Sequence, residues 1–237
     1  MLIKKQVPNA ITLLNLFCGC IALIFAFDRN FEMAFVFVSL GIFLDFFDGF
    51  FARLFKVSSP LGLQLDSLAD MVTSGVVPGL VMYQLLWSNL NSDANSFQFF
   101  PLLGFIVTLG SCYRLANFNI DTRQTDSFIG LPTPANALFI LSLPLVLKNS
   151  EQLFVIEALT NQWFLLLIIV SSAYILNAEI PLFSLKIKNF GWAHNKIQLV
   201  FLFLSLLLLL FFEYAGIPLL IMMYVMMSVF YNKMRKK

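Results

Sequence analysis

The sequence predicts an all-α integral membrane protein of about eight transmembrane helices, and three observations carry that prediction. Of its 237 residues, 59% are hydrophobic and only 12% charged, against roughly 45–50% and about 25% in soluble domains. Apolar stretches of about spanning length recur from end to end, and mean hydropathy is +0.86. Once those stretches are alternated across a bilayer, the basic residues fall on one side. Twenty-eight phenylalanines, and runs such as 201–212, need more cover than a chain of this size supplies. A soluble domain and a disordered chain are both excluded. The net charge of +2 gives no reason to expect a nucleic-acid partner.

The eight expected spans are 9–27, 32–54, 65–87, 98–118, 134–147, 163–183, 197–212 and 216–232. The first carries Asn9, Thr12, Asn15 and Gly19, which do not resemble a cleaved leader. The second and third carry Asp45, Asp48, Asp66 and Asp70. The fourth ends near Arg114. The fifth is short and contains Pro144, which leaves its limits poorly defined. The connections are short, so the chain reads as one membrane domain. With the N-terminus in the cytoplasm, the inner side holds Lys4, Lys5, Arg53, Lys56, Arg114, Arg123, Lys186, Lys188, Lys196, Lys233, Arg235, Lys236 and Lys237. The outer side keeps Arg29 and Lys148. Thirteen against two sets both termini in the cytoplasm. Trp87, Trp163 and Trp192 fall near helix ends, as interfacial aromatics do. Cys18, Cys20 and Cys112 lie in apolar stretches without zinc-like spacing to His194. They read as free core thiols, as is usual for a bacterial inner-membrane or other non-secreted protein.

Four of the 13 acidic residues sit in or at the mouth of membrane helices. An ionised aspartate at helix centre costs about 2.5–3.5 kcal/mol, so four unpaired ones cost on the order of 10 kcal/mol. Arg53 alone cannot balance them. At about 100° per residue, with Asp45 at zero, Asp48 falls near −60°, Gly49 near +40°, Ala52 near −20° and Arg53 near +80°. Both acids therefore share a face with two small residues and an arginine. Gly62, Asp66 and Asp70 step by four and form one row on the third span. Either some of these acids are protonated or cations are bound. Oxygen-only ligands select hard cations, Mg²⁺, Mn²⁺ or Ca²⁺, and four carboxylates have capacity for two, as in phosphoryl-transfer sites. Positive-inside topology gathers all four in the cytoplasmic half of the membrane. A cation path needs acids along a whole pore, and the outer half has none within a helix.

These residues spell Asp45-x2-Asp48-Gly49-x2-Ala52-Arg53-x8-Gly62-x3-Asp66-x3-Asp70, which resembles the complete signature of the CDP-alcohol phosphotransferases. The segment 8–16, beginning Pro8-Asn9-Ala10-Ile11-Thr12, resembles the first-helix opening of the serine-using members of that family. So does Arg114-Leu115-Ala116-Asn117-Phe118-Asn119, together with 128–135 around Gly130-Leu131-Pro132-Thr133-Pro134. The resemblance covers roughly residues 3–140.

It implies a six-helix catalytic core over 1–183, two additional C-terminal helices over 184–237, and a homodimer. It also implies transfer of a phosphatidyl group from CDP-diacylglycerol to the hydroxyl of L-serine, with release of CMP. By the same resemblance, two divalent cations, Mg²⁺ or Mn²⁺, are held, the first by Asp45, Asp48 and Asp66 and the second by Asp45, Asp66 and Asp70. Asp70 also matches the general base. Gly49, Arg53 and Ser59 match positions that contact the CDP part, with Gly62 at the signature's remaining glycine and Ala52 leaving room for the nucleotide. Pro8, Asn9, Ala10 and Ile11 close over it. For the acceptor, Arg114 either anchors the fourth span at the interface or holds the serine carboxylate or lipid phosphate. Asn117, Pro132 and Thr133 are expected to shape that pocket, though the prolines serve equally to stiffen the entry to the fifth span.

Overall fold

A computed structural model of the chain describes residues 2–57, 59–89, 99–121, 128–183 and 196–235. The protein is an all-α membrane protein. Helices α1 (Leu2–Phe27) and α2 (Phe31–Leu54) form an antiparallel hairpin, the most extensive helix contact among the described residues. Arg29 turns the corner with φ 59°, and Asn30 caps α2 by accepting from the Met33 N–H. Ala22, Ala26, Ala34 and Val38 are fully buried between helices, because small side chains let helix backbones approach closely inside a membrane. Phenylalanines 43, 46 and 50 of α2 face outward, as a lipid-facing surface requires.

Ser59 opens α3 (Pro60–Asp70): its Oγ accepts the Gly62 N–H at 2.9 Å, and Pro60 occupies the first turn, where no N–H is needed. A π-helical stretch, Met71–Val76, then carries the chain into α4 (Val77–Ser88). Pro78 has no N–H to offer the preceding turn, a common origin of such irregularity. Thr108 supplies a hydrogen bond to the Gly75 carbonyl there, at 2.9 Å. A 3₁₀ turn, Phe100–Phe105, leads into α5 (Ile106–Ile120). Helix α6 (Thr133–Asn149) runs straight through Pro144 for 17 residues, so the proline does not shorten the fifth span.

Helices α7 (Leu153–Thr160) and α8 (Gln162–Asn177) meet at 73°. Asn161 caps α8 by accepting from the Trp163 and Phe164 N–H groups. Two-residue strands β1 (Phe128–Ile129) and β2 (Pro181–Leu182) pair antiparallel. The tail folds as α9 (Lys196–Phe212), a 3₁₀ turn at Glu213–Ala215 and α10 (Gly216–Arg235). By length and composition 196–233 passes as one long candidate span, yet Phe201 and Tyr224 bring their rings to 5.5 Å. Twenty-three residues of straight helix would separate them by about 35 Å, so α9 and α10 are an antiparallel pair. Both pack with Leu131, Leu182 and Phe183 in a second apolar cluster, beside the main core of α1, α2, α4, α5, α6, α7 and α8.

Helix covers most of each expected span, but the third takes in α3, the π stretch and α4, the described part of the fourth starts in the 3₁₀ turn before α5, and the sixth, 163–183, overruns the end of α8 into β2. By length and composition alone, four helical runs among the described residues qualify as crossings, or five with the bent pair α7–α8 taken as one. The expected eight therefore does not follow from that criterion. Arg123, Lys186, Lys188, Trp192, His194, Lys236 and Lys237 lie outside the described residues.

Candidate active site

The carboxylates come from two helices joined by a short turn. Asp45 and Asp48 lie near the end of α2, and Asp66 and Asp70 lie on α3. One oxygen from each of Asp45, Asp48 and Asp66 falls within 4.8 Å of the others. Asp70, one turn past Asp66, lies outside that triplet but faces the charges of Asp66, Asp48 and Arg114. Asp48 and Asp70 are 7% and 8% exposed, so their charges have little water to screen them. Asp45 Oδ1 is buried and has no hydrogen-bond partner. An orphaned carboxylate oxygen beside two further carboxylates is what a hard cation satisfies, so the residues present fit a divalent metal.

Hydrogen bonds from α1 hold two of these acids. Thr12 Oγ1 donates to Asp48 Oδ2 at 2.5 Å and also lies 3.0 Å from the Pro8 carbonyl. Asn15 Nδ2 donates to Asp70 Oδ1 at 3.2 Å. In the sequence Thr12 and Asn15 stand as polar interruptions of the first span and fall within the 8–16 segment, with no role assigned to either. Their spacing of three along the helix is a further signal that points to them, since i and i+3 share a face. Thr73, whose Oγ1 donates to Asn15 Oδ1 at 2.9 Å, gives no such signal.

Around the carboxylates the surface is bare. A Cβ on Gly49 would sit 3.5 Å from Arg53 Nη1, so the exposed guanidinium lies over the glycine backbone. A Cβ on Gly62 would sit 3.1 Å from Ser59 Oγ and 3.2 Å from Asn9 Oδ1. The start of α1 is thereby brought against the start of α3, with Pro8 buried, Ile11 half-buried and Ala10 exposed. Ala52 is half-buried. The structure thus gathers the signature residues and the 8–11 segment at one end of the α1–α2–α3 unit.

Arg114 is buried within the protein. It is 7% exposed, donates from Nε to the Leu131 carbonyl at 2.7 Å, and lies 5.4 Å from the Phe118 ring centroid. Leu131 in turn donates its N–H to the Ile175 carbonyl, and Gly130, at φ 76°, donates to that of Ile180. The loop before α6 is therefore pinned to α5 and to the end of α8. Thr133 is buried and Pro132 half-buried beside it, whereas Asn117 is exposed one turn beyond Arg114. Ser74 and Ser111, one turn beyond Asp70 and one before Arg114, are fully buried with unpartnered hydroxyls. A cavity of about 1050 Å³ opens between α6, α7, α8 and α10, and none of the four aspartates lines it. Chemistry, not volume, locates the site.

A family model described as CDP-alcohol phosphatidyltransferase matches residues 5–162, which include every carboxylate of the site. The chain belongs to that family. This phosphatidyltransferase is accordingly a membrane enzyme of phospholipid synthesis, from a family that depends on divalent metals. It is 35% identical over 143 residues to a Bacillus subtilis protein named CDP-diacylglycerol–serine O-phosphatidyltransferase, covering 59% of this chain and 75% of that one. A Helicobacter pylori protein of the same name is 34% identical over 203 residues, 84% of this chain and 80% of that one. An archaetidylserine synthase of Methanothermobacter thermautotrophicus is 30% identical over 149 residues, 61% of this chain and 60% of that one.

Proposed function

We propose that this phosphatidyltransferase moves the phosphatidyl group of CDP-diacylglycerol onto the hydroxyl of L-serine, releasing CMP, at a two-metal carboxylate site on the cytoplasmic side of the membrane. The observation that carries the reading is the convergence of Asp45, Asp48 and Asp66 within 4.8 Å, in a chain whose relatives are named for the serine reaction.

Asp45, Asp48 and Asp66 would hold one cation and Asp45, Asp66 and Asp70 a second. The all-oxygen donor set suits Mg²⁺ or Mn²⁺. Bound there, the ions supply positive charge against the pyrophosphate and the departing CMP. Asp70 takes the proton of the serine hydroxyl as that oxygen bonds to the phosphorus bearing diacylglycerol. The bond from that phosphorus to the CMP oxygen breaks in line, and CMP keeps its electron pair. Arg53 pairs with the phosphates. Gly49, Ala52 and Gly62 leave backbone open to the nucleotide, while Pro8, Asn9, Ala10, Ile11 and Ser59 border it. On the acceptor side Arg114 receives the serine carboxylate, and Asn117, Pro132 and Thr133 shape the pocket. The buried, unpartnered hydroxyls of Ser74 and Ser111 support a small polar acceptor between Asp70 and Arg114.

The inward bias of the basic residues supports a cytoplasmic site with both termini on that side, in the bacterial cytoplasmic membrane. Residues 1–183 form the catalytic core and 184–237 an added helix pair, a division supported by the family match ending at 162. The enzyme works as a homodimer among membrane lipids. The test is CMP release from CDP-diacylglycerol by purified protein, with serine, glycerol 3-phosphate or inositol as acceptor. Serine alone should support release; release only with another acceptor would overturn the assignment.

A further inference from the structure

We propose that Asn15 is a positioning residue that fixes the orientation of the Asp70 carboxylate, and that Thr73 holds Asn15 in the one orientation that does so. The inference rests on Asp70 accepting the acceptor's proton, as proposed above. Asn15 is completely buried, and a carboxamide offers one acceptor oxygen and two donor hydrogens, each of which needs a partner there. Thr73 Oγ1 lies 2.9 Å from Asn15 Oδ1 and 3.2 Å from the Asn15 carbonyl. With its hydroxyl hydrogen committed to these oxygens, the amide must turn its NH₂ toward Asp70, whose Oδ1 it meets at 3.2 Å. The reverse orientation would set the amide oxygen against an ionised carboxylate.

Packing permits little else. A Cβ on Gly41 would come within 2.7 Å of Asn15 Oδ1 and 2.8 Å of Thr73 Cγ2, and one on Gly19 within 2.5 Å of Thr73 Oγ1. The Asn15–Thr73 pair thus fills the space left by glycines of α1 and α2. Thr73 stands in the π-helical stretch that begins directly after Asp70, and local π turns are frequent at functional sites. Since Asn15 occupies Oδ1, the remaining oxygen of Asp70 is the one presented to the serine hydroxyl. Thr73 acts only through Asn15.

The test compares wild type, Thr73→Ser and Thr73→Val as purified protein, reading kcat, KM for both substrates, and Tm. Thr73→Val keeps the shape and removes the donor. It should lower kcat about 10–100-fold, the range for partners that orient site ligands, with KM for CDP-diacylglycerol within about twofold of wild type. Thr73→Ser, which keeps the hydroxyl, should restore kcat. Asn15→Ser, which leaves space instead of strain, carries the same kcat prediction should Thr73→Val fail to fold. Wild-type kcat in Thr73→Val, or in Asn15→Ser, overturns the inference. So does a kcat loss in Thr73→Ser equal to that in Thr73→Val. An inactive wild type overturns the transferase reading itself, which separates the two failures.

Discussion

Arg114 donates from Nε to the Leu131 carbonyl at 2.7 Å, so the loop that opens α6 hangs from the helix that faces Asp70. A lysine cannot reproduce the planar fork that bonds a backbone carbonyl and a carboxylate together. Arg114→Lys should raise the KM for serine about 10–100-fold, the equivalent of one charge-assisted hydrogen bond, and leave that for CDP-diacylglycerol within about twofold. Steady-state kinetics on both substrates checks this. Full activity with an unchanged serine KM would remove Arg114 from the acceptor pocket.

Gly49 separates folding from binding. Its would-be Cβ meets Arg53 Nη1 at 3.5 Å, an ordinary contact, so Gly49→Ala should fold with a Tm near that of wild type. The added methyl nevertheless occupies backbone surface assigned to the nucleotide. A misfit of about 1–3 kcal/mol corresponds to a rise of roughly 5- to 150-fold in the KM for CDP-diacylglycerol.

Asp45 trades stability for function. Its Oδ1 is buried without a partner, and Asp48 and Asp66 crowd the same space. In protein stripped of divalent ions by a chelator, Asp45→Asn should raise stability by about 1–3 kcal/mol through relief of the crowding of buried carboxylates. The same variant should lose CMP release at every metal concentration. Thermal unfolding with and without Mn²⁺ reads both arms, and only wild type should gain Tm on adding the ion.

Legibility divides along sequence distance. Asp45, Asp48, Asp66 and Asp70 lie within 26 residues on two neighbouring helices, so helical spacing alone is enough to bring each pair to one face. Their supports cannot be read in this way. Thr12 reaches Asp48 across 36 residues, Asn15 reaches Asp70 across 55, and Thr73 reaches Asn15 across 58. Those pairings exist only after α1, α2 and α3 pack. The π turn at Met71–Val76 is equally silent, because its residues continue the apolar pattern of an α-helix. Pro144 points the other way: its local propensity argues for a break, yet Leu143 and Leu145 are buried on either side of it and packing carries α6 through. The α7–α8 corner has a readable cue in Asn161, a common N-cap residue, although the apolar pattern starts the sixth span only at 163.

Gly41 offers a purely structural check on that packing. A methyl there would press on Asn15 Oδ1 and Thr73 Cγ2 at 2.7 and 2.8 Å. Gly41→Ala should therefore destabilise the protein by about 1–3 kcal/mol, visible as a lowered Tm in detergent. An unchanged Tm would mean that α1 and α2 sit farther apart than these contacts require.

The most direct measurement is incorporation of radiolabelled serine into lipid by the purified protein with CDP-diacylglycerol and Mn²⁺ or Mg²⁺, beside an Asp70→Asn control. Labelled phosphatidylserine formed by wild type, and lost in the folded control and on chelation, is the predicted result. A folded wild-type protein that labels no lipid, or an Asp70→Asn variant that labels as well as wild type, would contradict the account.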